Sequence, residues 1–518
     1  MKRMMLLALI AWALLLSACV TNPVTGESQF SIISEKQELA MGAQQYAPLR
    51  QSQGGDYVVD PELTAYVSEV GQRLAKVSDR QLPYEFKVLN SGVPNAWALP
   101  GGKIVINRGL LTELHNEAEL AAVLGHEITH AAARHTAVNM SKSILLQGAA
   151  AGAVLATQSS EYGDIAQLGA GLGAQLLNQR FSRDAEREAD YYGMLYMSRA
   201  GYNPEGAVAL QKTFVRLSEG HAQGWLQGMF ASHPPSQERV LNNQARLQAL
   251  PMGGEFGEKR FLSKTAHLRA TKPAYEAYDK AQKALASGYT TQAMHLTERA
   301  IRLEPKEGHF YALLGDIEQQ KNQYTQAIHA YTQATQRNPD FFYYYVQRGK
   351  AEQKLRLKQH AEADFQRGIA LLPTADAYYG LASIARFDNR LNDAKTYYAK
   401  AAKSPSPLGK MAYGELVELD LPSHPAQYIT VQSVRLTDGR VALKLQNRTP
   451  RSVKGVVVTV QFTDVSGQQR QLNGTLPQVL AAESSVVIDL GLGQLTDERM
   501  ASTRASVIRA YLATSRKR

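Results

Sequence analysis

Gly125-His126-Glu127-Ile128-Thr129-His130 lies inside an apolar, helix-forming stretch from Glu117 to Ala133. Glu186-Arg187-Glu188-Ala189-Asp190 follows, with Glu186 standing 56 residues beyond His130. Positions i and i+4 share one face of a helix, so His126 and His130 can bind one metal ion with Glu127 beside it. Glu186 and Asp190 are again i and i+4, and one of these carboxylates can bind the ion while the other supports the site. Two histidines, one carboxylate and an open fourth position make a catalytic zinc site, with one Zn²⁺ per chain. Leu120, Val123, Leu124 and Ile128 frame this face and mark the helix as core, where imidazoles and carboxylates need partners.

The chain has 518 residues, 44% hydrophobic and 20% charged, enough for three or more domains. The net charge of +10 is spread thinly. No basic run and no nucleic-acid motif accompanies it, so nucleic acid is excluded as a partner and a surface facing anionic lipid or acidic partners is expected. At the N-terminus Lys2 and Arg3 precede an apolar run from Met4 to Leu16, and Leu16-Ser17-Ala18-Cys19 resembles a bacterial lipobox. This predicts a signal peptide over residues 1–18 and lipidation of Cys19. The apolar run is too short for a transmembrane helix, and a multiply acylated N-terminus anchors without one. Val20, rather than Asp, after the lipidated position favours the outer membrane by resemblance to bacterial sorting rules. With one cysteine in the chain, no internal disulfide forms.

Along the chain, Asn22 to Glu27 reads as a turn. Ser34 to Tyr46 and Pro61 to Lys76 read as helices, the first capped by Ser34. Tyr84 to Leu89 reads as a strand, and Asn95 to Gly102 leads into Lys103 to Asn107 as a hairpin. Two readings stand for Lys103 to Asn107: a strand with structural duty only, or an edge to which an extended peptide adds as a strand. Ser141 to Leu177 is rich in Ala and Gly; its apolar patch, Ile144 to Ala156, is too short to span a bilayer and is read as close helix packing. Pro305, Pro339 and Pro373 recur at 34 residues, and Ala293, Ala327 and Ala361 recur in the same frame, as do Ala300, Ala334 and Gly368. This resembles tetratricopeptide repeats. A fourth unit shows through Leu381, Ala382, Ala394, Tyr398 and Ala401. Four helix pairs stack into a solenoid with a concave binding face. Tyr343, Tyr344, Tyr345, Tyr378 and Tyr379 are candidate anchors there, several of them expected in the core. Leu421 to Pro425 reads as a linker. Alternation then marks strands at Tyr428–Leu436, Arg440–Leu445, Val453–Phe462, Ser485–Leu490 and Ala505–Leu512, with turns at Asp438-Gly439, Gly467 and Gly474. These make a small β-sandwich.

The catalytic part resembles the bacterial metallopeptidases related to HtpX. Among them it resembles the periplasmic BepA-type group, which joins such a peptidase to tetratricopeptide repeats. The resemblance spans roughly Asn22 to Ser404 and rests on separated blocks. They are Asn22 to Glu27, Asn95 to Leu111, the metal-binding helix, Phe181 to Asp190, and Ser232-His233-Pro234-Pro235 with Arg239. It implies His126, His130 and Glu186, not Glu188, as zinc ligands. It further implies Glu127 as catalytic base, Asp190 as the carboxylate orienting a ligand imidazole, and His233 as a fourth, regulatory ligand. His135, five residues after His130 and off the ligand face, reads as structural. The lipobox and the β-sandwich depart from the BepA type.

The expected fold is therefore multidomain and mainly α. It comprises a signal peptide (1–18), a zincin-like α+β metallopeptidase domain (19–255), a repeat solenoid (265–410) and an all-β sandwich (425–514). The expected activity is zinc-dependent endoproteolysis at the periplasmic face of a membrane, in quality control of misfolded or stalled outer-membrane and periplasmic proteins. The alternative is a chaperone or assembly adaptor with latent proteolysis. The expected partners are unfolded or misassembled proteins, the outer-membrane assembly machinery through the repeats, and the membrane through the lipid anchor.

Overall fold

The computed structural model describes residues 19–150, 180–220 and 233–513. The expected signal peptide and most of the Ala- and Gly-rich stretch lie outside the described residues. No helix among the described residues is long and apolar enough to cross a membrane. The chain divides into two compact units, Met1–Tyr344 and Tyr345–Arg518.

The first unit opens with a hairpin of β1 (Cys19–Thr21) and β2 (Ser28–Phe30). Asn22 makes its turn, accepting a hydrogen bond from the Val24 amide at 2.9 Å. Helices α1 (Glu35–Ser52) and α2 (Pro61–Ala75) follow. Ser34 and Gln37 cap α1 reciprocally. The helix runs past the expected end at Tyr46 and takes in Pro48, because Leu49 is still on its buried face.

A three-stranded sheet comes next, from β3 (Glu85–Leu89), β4 (Ala96–Leu99) and β5 (Lys103–Asn107). Its order is β3-β5-β4, with β3 parallel and β4 antiparallel to β5. The β4–β5 hairpin turns through Gly101 and Gly102 at φ of 79° and 76°, a conformation other residues resist. Strand β5 is central and buried at all five positions, so it offers no edge. This corrects the expectation that Lys103 to Asn107 receives a peptide: β5 lies between β3 and β4, and residues 55–57 bond the end of the outer edge of β3.

Helices α3 (Arg108–Leu111), α4 (Glu117–Ala132), α5 (His135–Ala150), α6 (Arg183–Arg199), α7 (Glu205–Gly220), α8 (Gln237–Leu247), α9 (Glu258–Lys264) and α10 (Ala266–Ala270) complete this part. Every residue of α4 is buried. Buried carboxylates hold both ends of it. Glu117, in the first turn, accepts from Tyr66 and Tyr202 at 2.9 Å and from Arg260 at 3.0 Å. Just past the last turn Arg134 takes a positive φ of 63° and donates to Glu38 at 2.8 Å, while Arg80 bonds Glu38 and the Ala131 carbonyl. That reversal starts α5 at His135.

The repeat pairs are α11 (Lys272–Ala286) with α12 (Thr290–Leu303), α13 (Gly308–Gln320) with α14 (Tyr324–Arg337), α15 (Phe342–Lys354) with α16 (Lys358–Leu371), and α17 (Ala375–Phe387) with α18 (Leu391–Ala401). Ala293, Ala300, Ala327, Ala334, Ala361 and Ala394 are fully buried between helices, as the period predicts. Gly315 leaves room for Tyr331, whose ring would come within 2.5 Å of a methyl group there. Of the candidate tyrosine anchors, Tyr344 is core; Tyr343, Tyr345, Tyr378 and Tyr379 are half-buried.

The two compact units part inside the repeats, between Tyr344 and Tyr345. A buried polar network explains this. Asn90, just after β3, donates to both Glu307 oxygens at 3.0 and 2.9 Å and accepts from Arg108 at 2.8 Å. Tyr275 also donates to Glu307, at 2.8 Å, and the His309 ring bonds the Gly54 carbonyl at 2.8 Å. The first repeats are thus bonded to the loops that flank the catalytic sheet.

In the second unit α19 (Pro407–Asp420) and α20 (Pro425–Tyr428) lead into β6 (Ile429–Arg435), β7 (Val441–Asn447), β8 (Val453–Thr463), β9 (Gln469–Thr475) and β10 (Ser485–Ile488). Helix α21 (Asp497–Ser502) and β11 (Arg504–Leu512) close it. The sheets β10-β7-β6 and β11-β8-β9 enclose one apolar core, a sandwich. Two expectations are corrected here. Leu421 to Pro425 is not a free linker: Leu421 is fully buried in that core, and Asp420 bonds Lys395, His424 and Tyr428 at 3.0–3.1 Å. Gly474 is not a turn but a paired position of β9 opposite Val458, where the Leu490 side chain fills the place of a side chain.

Within the repeats of this unit, Glu352 is buried beside Asp364, which Arg348 holds at 2.6 and 2.8 Å. Burial and the adjoining Asp364 carboxylate push the Glu352 carboxyl up to about 7. A raised carboxyl favours the folded state at low pH, and that contribution is lost as pH rises through the folded value. Glu352→Gln should therefore raise the melting temperature of this unit at pH 8 by about 2–4 °C. The gain should fade toward pH 5, as read by calorimetry across that range.

Candidate metal centre

Helices α4 and α6 cross at two glycines. A methyl group on Gly125 would lie 3.0 Å from the Gly193 carbonyl oxygen, and one on Gly193 would lie 3.0 Å from the His126 amide nitrogen. At this separation Glu186 and Asp190, on one face of α6, meet His126 and His130, on one face of α4. Ser182 caps α6 and Asn116 caps α4, so each helix starts where these side chains need it. His233, just ahead of α8, completes a buried group with His126, His130 and Glu186, whose ligand atoms all lie within 4.8 Å of one another.

The separations carry chemical information. His126 Nε2 is 3.1 Å from His130 Nε2 and 3.3 Å from His233 Nδ1. Glu186 oxygens lie 3.6 Å from His126 Nε2, 3.4 Å from His130 Nε2 and 2.7 Å from His233 Nδ1. A tetrahedron with metal–ligand bonds of ~2.0–2.1 Å has edges of about 3.4 Å. Most of these separations are close to that value, and two imidazole nitrogens this near have no proton to share if both are bare. Glu186 Oε2 makes no hydrogen bond although it is buried. The donor set therefore fits a metal ion.

A supporting relay fixes which nitrogen of the His130 ring is bare. Asn22 donates to Glu188 at 2.8 Å, Glu188 faces His135 Nε2 at 3.4 Å, and His135 Nδ1 meets His130 Nδ1 at 2.9 Å. With the His135 proton on the Glu188 side, His130 Nδ1 donates to His135 and its Nε2 is left for the ion. Asp190 Oδ1 faces His126 Nδ1 at 3.1 Å, a charged contact outside hydrogen-bond geometry. Arg239 grips Asp190 through two bonds of 2.8 and 2.7 Å and stands 3.0 Å from Glu186 Oε2. Phe181 stacks on His130, ring centres 4.1 Å apart.

The electrostatics agree with this. Burial pushes His130 well below its usual range, so it is neutral. Burial pushes Glu186 up, but His233 and the bonds from His130 outweigh it and carry the carboxyl well below the usual range. Burial likewise opposes ionisation of Asp190, and Arg239 overcomes it. Burial lowers His233, but Glu186 and Glu127 outweigh it and raise the imidazole. Glu127 is buried, 3.7 Å from His233 Nε2.

All of the expected site residues of the catalytic part therefore come together. Cys19 lies on β1, and the lipobox before it is outside the described residues. Arg239 and Phe181 also belong to the site, the first on Asp190 and the second on His130. Nothing in the local pattern marks an arginine 49 residues from Asp190 as its partner.

Residues 61–246 match peptidase family M48, and residues 308–341 and 375–405 match the tetratricopeptide repeat. Metalloprotease YcaL of Escherichia coli (strain K12) is 34% identical over 193 residues, which cover 35% of this chain and 71% of YcaL. The chain belongs to peptidase family M48. The beta-barrel assembly-enhancing protease of the same strain is 28% identical over 338 residues, covering 60% of this chain and 68% of that protein. The putative beta-barrel assembly-enhancing protease of Vibrio cholerae is 30% identical over 236 residues, 44% of this chain; the match spans 48% of that relative, about half its length. A metallopeptidase family implies a catalytic metal, and the four-donor group meets that requirement.

The relay behind His130 makes a direct prediction. His135→Phe should lower metal affinity roughly ten- to a hundredfold while leaving the fold intact, because His130 loses the acceptor that orients it. Competition against a coloured chelator measures the affinity, and circular dichroism checks the fold.

Proposed function

We propose that this M48 chain is a zinc-dependent endopeptidase with His126, His130 and Glu186 as ligands and Glu127 as general base. The observation that carries the reading is the convergence of three donor atoms at tetrahedral separations with a buried carboxylate one residue from the first. When bound, the zinc supplies Lewis acidity toward water and the scissile carbonyl. Glu127 takes the proton of the attacking water and delivers it to the leaving amine. His135 accepts the Nδ1 proton of His130, Asp190 stands beside His126 Nδ1, and Arg239 keeps Asp190 ionised and in place. The proposed domain limits are those read from the sequence: peptidase 19–255, repeats 265–410, sandwich 425–514.

The proposed setting is the periplasm, with a lipid anchor at Cys19 in the outer membrane. The proposed substrates are misfolded or stalled outer-membrane and periplasmic proteins. Three things support this: the lipobox, the repeats, which are protein-binding modules, and relatives named as beta-barrel assembly-enhancing proteases. The repeats would carry clients or the outer-membrane assembly machinery.

A second reading has its own observation. His233 Nδ1 takes a fourth corner of the donor group, 2.7 Å from Glu186 and 3.3 Å from His126. A protein ligand there leaves no corner for water, which is a latent enzyme, and in that state the chain acts as a chaperone or adaptor.

Both readings meet one experiment on protein starting at Val20. Glu127→Gln should keep one zinc per chain and lose casein cleavage by about a hundredfold or more. His233→Ala should also keep zinc and cleave faster than wild type. Cleavage undiminished in Glu127→Gln would sink the catalytic assignment. Metal absent from wild type would sink the centre itself. Slower cleavage in His233→Ala would remove the latch.

A further inference from the structure

The net charge of this protein is unevenly placed. Residues 345–518 hold 25 Lys and Arg against 15 Asp and Glu, which equals the whole surplus of +10, while residues 1–344 are balanced. In the sandwich many arginines are neutralised locally. Arg435 pairs with Asp497, Arg440 with Asp438 and Asp489, and Arg470 with Asp464. Lys454, Arg504 and Arg509 are exposed, and no ion pair or hydrogen bond holds their side chains among the described residues.

These three share one surface. Register places Arg504 opposite Gln461, Ser506 opposite Thr459, Arg509 opposite Val457 and Tyr511 opposite Lys454. All of these positions belong to the outer face of the β11-β8-β9 sheet, because Val456, Val458, Val460 and Val507 fill the core on the other side. Strict alternation would send Arg509 and Tyr511 inward from a strand that shows Arg504 and Ser506 outward. Register shifts between Val507 and Arg509, and between Arg509 and Tyr511, move both to the outer face. On the partner strand Gly455, at a φ of 62°, marks the matching irregularity that turns Lys454 outward.

Among the described residues no carboxylate stands at these paired strand positions. Thr459, Gln461, Gln471 and Asn473 occupy the middle, with Ser506 beside them. Tyr511 is 47% exposed next to Lys454. The outer face of the opposite sheet is smaller and shows one cation, Lys444. Lys454 and Arg509 stand near one end of the β8–β11 pair and Arg504 toward the other, so the unpaired cations form a row along the strands that suits a ligand with repeated negative charge. The rest of the face specifies which anion. Amides and hydroxyls on a flat sheet match sugar hydroxyls, and an exposed tyrosine offers a ring face to a pyranose. A lipid surface calls for a cluster of apolar groups to insert and a nucleic acid for several stacking rings; among the described residues this face exposes Ile508 and Tyr511, set among cations, amides and hydroxyls.

We propose that the outer face of the β11-β8-β9 sheet binds an acidic polysaccharide, with Lys454, Arg504 and Arg509 meeting its carboxylates or phosphates and Tyr511 packing on a sugar ring. The sandwich then holds the chain on an anionic glycan, and this holds whatever the peptidase domain does.

Binding of the full chain from Val20 to polygalacturonate, to neutral dextran and to phosphatidylglycerol vesicles tests this. Wild type should bind polygalacturonate more weakly as salt rises, and should not bind dextran. The combined Lys454→Gln, Arg504→Gln, Arg509→Gln variant should lose about tenfold or more in affinity with an unchanged melting temperature. Lys444→Gln should bind as wild type does. Equal binding by the triple variant, or no binding of polygalacturonate by wild type, would overturn the proposal. Binding to vesicles alone would reassign the face to lipid.

Discussion

The approach of α4 to α6 is the constraint on which the catalytic part of this structure depends. Neither helix carries a metal site alone: two histidines one turn apart are two donors, and two carboxylates one turn apart repel. The pair becomes a site only at a crossing so close that each backbone touches the other, and Gly125 and Gly193 permit it. A single methyl at the crossing would force a shift of tenths of an ångström, and metal–ligand bonds tolerate about that much. Gly125 precedes His126 directly, so the contact point and the first ligand are adjacent on the chain.

A crossing this tight holds only if α4 itself cannot slide. Its burial along the whole length supplies adhesion without direction, since apolar contact is non-directional. Direction comes from Glu117 at one end, bonded to two tyrosines and Arg260, and from Glu38 at the other, bonded to Arg80 and Arg134. Buried charges of this kind add little net stability, because desolvation offsets their attraction. Their effect is positional. Arg134, left-handed between α4 and α5, also returns the chain so that His135 stands behind His130. One conformational reversal thereby supplies both the end of the ligand helix and the support of its second ligand.

Much of this was legible in the sequence. Spacing alone placed His126 with His130 and Glu186 with Asp190, because helix periodicity is local. The 34-residue recurrence exposed the repeats for the same reason: it counts along the chain. What the spacing could not reach is pairing across distance. Nothing local marks Arg239 as the partner of Asp190, Glu38 as the anchor of Arg134, or Glu307 as the acceptor of Asn90. Central or edge position in a sheet is also non-local, and this is why β5, read as an edge, lies between β3 and β4. Gly474 was read as a turn because glycine usually signals one; here the Leu490 side chain demands the space. Leu421 has the Pro and Ser neighbours of a linker, yet with Val417 and Tyr413 of α19 it packs into the sandwich core.

Arg239 ties the support of the centre to its fourth donor. It bonds Asp190 and faces Glu186 on α6, and it also reaches the Pro234 carbonyl next to His233. The side chain that secures the ligands thus touches the segment that carries the latch. Its three partners differ in strength. The Asp190 pair is bidentate and charge-assisted, at 2.7 and 2.8 Å, whereas the Pro234 bond is long, at 3.4 Å. A displacement of the His233 segment gives up the Pro234 bond and the 2.7 Å contact of His233 with Glu186, but leaves both Arg239–Asp190 bonds and the Arg239 contact with Glu186 in place. The proposed fourth donor is therefore the one whose support lies outside the Arg239–Asp190 pair.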